Sequence, residues 1–118
     1  KITAEDVFNN IPTWVGLNST SQAITGDGST STAIDVTTPV TEIDATSAAA
    51  PCTLADGANG QIKTILNVSS SGTETVTITP ANLRGFTSVT LNAPGETVTL
   101  MFKNSNWNII AGHDYSAA

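Results

Sequence analysis

Residues Pro94 to Tyr115 read PGETVTLMFKNSNWNIIAGHDY, and this stretch decides the fold. A Pro-Gly pair marks a turn, because proline presets one backbone angle and glycine tolerates the other. From Thr97 onward the side chains alternate. Val98, Leu100 and Phe102 share one face, and Thr97 and Thr99 share the other, the period-2 pattern of a half-buried strand. A polar KNSN turn follows, and then Trp107 and Ile109 resume the apolar stripe. The stretch therefore predicts a β-hairpin whose inward side is Val98, Leu100, Phe102, Trp107 and Ile109. Thr97, Thr99, Lys103 and Asn108 face outward.

The same device recurs upstream. Ile34 and Val36 alternate with polar neighbours, and Val40 restarts a strand beyond Pro39, which cannot donate to a ladder and so marks an edge or a bend. The small-residue run ATSAAAPCTL predicts a tight crossing into a strand at Cys52 to Leu54. Two turn dipeptides, Asp56-Gly57 and Asn59-Gly60, precede a run from Ile62 to Val68. That run, a Ser71-Gly72 turn and the alternation through Val76 and Ile78 predict a second hairpin. Val89 and Leu91, the Pro94-Gly95 turn and Val98 predict a third. Asn18 to Ala33 is turn-rich and reads as a loop or a weak hairpin around Asp27-Gly28. Short strands at regular spacing, with no strict tandem repeat, predict an all-β fold, a small antiparallel β-sandwich or barrel.

Composition points the same way. The chain has 118 residues, enough for one domain, and only 12% are charged. Thr, Ser and Asn fill the polar positions instead of the Lys and Glu that coat helices. Four basic and ten acidic residues leave a formal charge of -6, and Lys1, Lys63, Arg84 and Lys103 are too few and too scattered to neutralise nucleic-acid phosphates. No run reaches the roughly twenty apolar residues of a membrane-spanning helix. The sequence opens on Lys1, which suits a processed chain or an excerpt.

The single helical candidate is KITAEDVFNNIPTWVG. Thr3 can cap it, Glu5 and Asp6 suit its positive end, and Pro12 stops it after one or two turns. Residues 1–17 are thus an N-terminal arm, and residues 18–118 are the β-module. Phe8, Ile11, Trp14 and Val15 are its contact candidates, either for a neighbouring subunit or for the open end of the chain's own sandwich.

Residues that could carry chemistry are sparse. His113 stands beside Asp114, but neighbours along a strand point to opposite faces, so the acid is badly placed to orient the imidazole. One His and one Cys cannot build a zinc cage in one chain. Asp27, Asp35, Glu42 and Asp44 offer oxygens for calcium, yet the spacing of an EF-hand is missing and turn acids ordinarily bind their own backbone. No phosphate loop is present, because GDGSTS lacks its lysine. Cys52, beside Pro51, reads as a small core residue. Trp14 and Trp107 could stack on a sugar, although packing is the commoner use of such rings. These readings predict a non-enzymatic protein with no cofactor and no bound metal.

The segments LADGANGQIKTIL and GTETVTITPANLRGFTSVTLNAPGETVTLMFKNSNWNIIAG resemble a small β-rich module of virion structural proteins from tailed phages, particularly marine ones, and from some large algal viruses. The likeness runs from about Ala45 to Gly112. Its marks are Asp56-Gly57, Gly60-Gln61-Ile62-Lys63, Thr79 to Leu83, Pro94-Gly95 and the closing Trp107 with Ile109-Ile110. The resemblance implies a structural role at the virion surface, on capsid or fibre. The first expectation is a capsid decoration protein that self-associates, as a trimer at three-fold positions, and binds the major capsid or another virion protein through its arm. The alternatives are a glycan-binding module at a fibre tip, using Trp14 or Trp107, and an extracellular filament subunit joined by strand addition.

Overall fold

The computed structural model describes residues 2–4, 21–70 and 74–118. Among these residues there are ten strands: β1 (Ser21–Thr25), β2 (Thr32–Ile34), β3 (Val40–Asp44), β4 (Ala50–Leu54), β5 (Ile62–Asn67), β6 (Val76–Pro80), β7 (Val89–Leu91), β8 (Thr97–Lys103), β9 (Asn106–His113) and β10 (Ser116–Ala117). They form two five-stranded sheets, one ordered β1-β3-β5-β8-β9 and the other β10-β7-β6-β4-β2. The fold is all-β and sandwich-like, with the core between the sheets. Apart from residues 2–4, the helical turn expected over the first segment lies outside the described residues.

The chain path is more particular than a meander. From β1 to β6 every connection crosses to the facing sheet, so β1, β3 and β5 stack parallel in one sheet and β2, β4 and β6 stack parallel in the other. Three two-stranded rungs result, starting at Ser21, Val40 and Ile62. The last four strands close the stack antiparallel. The sheets are therefore mixed, and the antiparallel expectation holds only for that closing half. Of the predicted hairpins, β8–β9 is real. Its turn residues Asn104 and Ser105 both take positive φ, 53° and 63°, the geometry that matches strand twist. The predicted pairs β5–β6 and β7–β8 are crossings between sheets, and so is β1–β2. A turn reverses the chain whether it returns in the same sheet or passes to the opposite one, and period-2 alternation is identical in both cases.

Polar side chains shape the corners. Asp35 Oδ1 accepts the Thr37 amide (2.8 Å) and hydroxyl (2.7 Å). Asp44 does the same for Thr46, and Asn67 for Ser69. Each is an Asx turn that ends or follows a strand. Corners of successive rungs also bond to one another. Gly26 N–H donates to Asp44 O (2.8 Å), Val68 N–H to Ile43 O (2.9 Å), and Ala45 N–H to Ser69 Oγ (2.8 Å).

Gly26 shows how closely the rungs approach. A Cβ added there would lie 2.5 Å from Ala48 O and 2.6 Å from Ala49 O, both backbone atoms that cannot swing away. Gly26→Ala is expected to cost about 2–3 kcal/mol. Denaturant unfolding checks this: a lower midpoint at unchanged slope is expected, and an unshifted midpoint would mean that the corners are not stacked this tightly.

Candidate functional site

Lys63, which composition alone marks only as one scattered cation, is the most perturbed. It lies on β5 with its side chain pointing inward, fully buried. Its Nζ donates to Asp35 O (2.7 Å), Thr38 O (2.7 Å) and Thr38 Oγ1 (2.8 Å), which uses all three ammonium donors. Burial pulls its pKa down to about 8, with the Asp35 carboxylate pulling the other way. Two glutamines grip the same corner. Gln22 Oε1 accepts Asp35 N–H (2.8 Å) and the Thr41 hydroxyl (3.0 Å). Gln61 Oε1 accepts Ala58 N–H, and its Nε2 donates to Val36 O. Side chains of the first and third rungs thus clamp the β2–β3 corner. A lysine with a depressed pKa suits covalent catalysis when a substrate can reach it. Here the amine is closed off and every proton is engaged, so its work is to hold the corner.

The residues predicted from sequence are dispersed. Val98, Leu100 and Trp107 are fully buried, Phe102 nearly so, and Ile109 packs against the core. The Trp107 ring meets Phe102 edge-on at 5.3 Å, and its Nε1 donates to Ala55 O (2.9 Å). A ring enclosed in this way offers no platform to a sugar. Cys52 is buried, and burial pushes its thiol up to about 11, as suits an inert core residue. Phe8, Ile11, Trp14 and Val15 lie outside the described residues.

The acids divide between turns and surface. Asp27 Oδ1 accepts the amides of Ser29 and Thr30. Hydrogen bonds to the ionised form hold Asp27, Asp35 and Asp44 below the ordinary carboxylate range, led by the Ser29 amide, the Thr37 hydroxyl and the Thr46 hydroxyl respectively. Among the described residues no three His, Cys, Asp or Glu side chains gather in a way that could hold a metal ion. His113 and Asp114 do touch, at 3.3 Å, contrary to expectation. Asp114 has φ 53°, which breaks the strand alternation and brings its carboxylate round to the ring. Both side chains are more than 70% exposed. The tail beyond them is tied down, since β10 pairs with β7 and Ala118 O accepts Thr87 and Ser88 N–H.

What the molecule presents outward differs between its sheets. The outer face of the β2-β4-β6-β7-β10 sheet carries Ala33, Thr53 and Thr79 in one row and Pro51, Thr77, Thr90 and Ser116 in the next. The outer face of the other sheet is apolar by comparison. Its rows across the strands are Ile62–Met101–Asn108, then Ser21–Val40–Thr64–Thr99–Ala111, then Ala23–Glu42–Leu66–Thr97–His113. Ile110, the extra residue of a bulge in β9, is 48% exposed beside them. The face continues to Lys103 opposite Asn106 at one end and to Thr25 opposite Asp44 at the other, and among the described residues Lys103 is its one Lys or Arg. Ile62 and Leu66 face out while Lys63 and Asn67 face in, the reverse of what polarity alone suggests. No described helix is long and apolar enough to cross a membrane. No protein-family model matches the chain, and no curated protein matches it.

Proposed function

We propose that this protein is a structural component of a virion surface, in the first place a capsid decoration protein, and that it works by contact with other subunits. The observation that carries the reading is how the polar groups are used. Lys63, Cys52, the three turn acids and the Trp107 N–H are each engaged in holding the fold, while apolar side chains remain on the outer face of one sheet. The sequence resemblance to virion modules supplies the setting. Buried Trp107 weighs against a glycan platform on the described part of the molecule.

One observation favours the filament reading as second choice. β1 and β2 end their sheets at the same end of the stack, and among the described residues each pairs on one side only. Neither strand carries a charge or a proline, the usual guards against strand addition. β9 is bulged and β10 has two residues.

Co-sedimentation with assembled shells tests the first reading. The intact chain is expected to pellet with shells saturably. Removing Lys1 to Gly16 is expected to abolish pelleting while the β circular dichroism persists. Failure of the intact chain to bind any shell would overturn the decoration role, and spontaneous fibres would turn it toward the filament.

A further inference from the structure

We infer that the outer face of the β1-β3-β5-β8-β9 sheet is the surface on which two copies of this chain associate, about a two-fold axis that runs parallel to the strands between β5 and β8. This names the first partner within the structural role proposed above, and rests on it only for the biological setting.

The argument comes from the registers. An axis so placed sets β5 of one copy over β8 of the other, and β3 over β9. In the lowest row the order Glu42, Leu66, Thr97, His113 then faces its own reverse. Glu42 meets His113 of the second copy, and Leu66 meets Thr97. In the next row Val40 meets Ala111 and Thr64 meets Thr99. In the third, Ile62 meets Met101, and Lys103 beyond them lies past the end of β5. Acid lies over imidazole, Val40 over Ala111, Ile62 over Met101 and Thr64 over Thr99, with Leu66 against the methyl-bearing Thr97, and no like charges oppose one another among these pairs. Few arbitrary surfaces match themselves in this way, and self-matching is what an isologous contact requires.

Rotation about an axis along the strands also keeps the strand directions of the two copies aligned, the ordinary arrangement of packed sheets, about 10 Å apart. That gap is spanned by a glutamate reaching toward a histidine. His113 already touches Asp114 (3.3 Å) and is largely exposed, so its ring stands at the rim, where a charge pair sets orientation more than strength. Four strands overlap about this axis, and at about 4.8 Å spacing and roughly 17 Å of strand length they give a face below the standard size of stable interfaces, in the range of weak, reversible contacts. A micromolar dimer is the expectation. The three-fold assembly suggested by a decoration role would need two unlike surfaces, and the register evidence supports the two-fold.

Sedimentation equilibrium on the full chain decides the matter, with circular dichroism as the check on folding. The wild type is expected to be a reversible dimer at tens of micromolar. Glu42→Arg is expected to weaken association at least tenfold, and Glu42→Arg with His113→Glu to recover most of that loss. Leu66→Asp should abolish the dimer. Thr53→Arg, on the outer face of the other sheet, should leave it unchanged. A wild type that stays monomeric at every concentration overturns the inference, and so does loss through Thr53→Arg or failure of the charge swap to recover binding. Shell binding by a strictly monomeric chain would sink this inference and leave the decoration reading standing. A dimer that binds no shell would do the opposite.

Discussion

Replacing Lys63 by methionine is expected to lower stability by about 2–4 kcal/mol and the melting temperature by roughly 10 °C. Methionine matches the length and fills the space, but it leaves the Asp35 and Thr38 carbonyls and the Thr38 hydroxyl without the donor that joins them. The cost comes from stranded acceptors inside a closed corner, since the apolar contacts are kept. The lysine also leaves a signature in pH. Its folded pKa, about 8, is below the unfolded value of about 10.4. Between those values the unfolded chain binds more protons than the folded one, so stability rises with pH across that window. Lys63→Met should flatten the rise. On the acid side the sign is the same and the cause is the opposite one, since hydrogen bonds favour the charged form: Asp27, Asp35 and Asp44 have depressed folded values, and their contribution, present above the unfolded carboxylate range, is lost as pH falls through the folded one. Thermal melts from pH 7 to about 10.5 on both proteins test the assignment. Cys52 works against the rise in the upper part of this range, because its folded value, about 11, lies above its unfolded one. The readout is therefore the difference between the two proteins: a variant whose profile parallels the wild type would show that the amine is not held as described.

Trp107→Ala is expected to cost about 3–5 kcal/mol, the usual range for emptying a buried aromatic site. The ring lies at 0% exposure, stacks edge-on against Phe102 and donates to Ala55 O. Gly57 is packed so closely that a Cβ there would come within 2.9 Å of the Trp107 ring. The variant should unfold at markedly lower denaturant, while Trp107→Phe, which keeps most of the bulk, should lose less. This bears on function directly. A fall in sugar affinity in Trp107→Ala would report the lost core and say nothing about a ring platform. Near-native stability in the alanine variant would mean that the ring is not a core residue.

The parts legible in the sequence are those set by local chemistry. The β8–β9 hairpin was readable because alternation, a polar turn and a Trp-bearing return strand occur within one short stretch. Pro39 was readable as a bend, and Ala45 to Ala50 as a crossing, because small residues let the chain pass between sheets. The parallel rungs were not, since strand partners such as Ser21 with Val40 and Cys52 with Ile78 are distant in the chain and nothing local records which sheet a turn delivers to. The D-x-T pattern at Asp35-Thr37 and Asp44-Thr46 is the signal that could have helped, because a repeated turn device hints at a repeated corner. Lys63 was missed for a related reason. In QIKTILN polarity alone would turn Ile62 and Leu66 inward and Lys63 outward, and only the corner from Asp35 to Thr38 (residues distant in sequence) makes the inward lysine tolerable. The His113–Asp114 contact depends on a single left-handed residue that alternation cannot foresee.

The claim that matters most is that this small stack of rungs serves as a piece of a larger particle. Immunogold electron microscopy, with an antibody raised against the folded chain and applied to particles from the organism that makes it, tests this most directly. The expected outcome is regular labelling over particle surfaces, removed by competition with the purified protein. Unlabelled particles, with the chain recovered only free in solution, would contradict it.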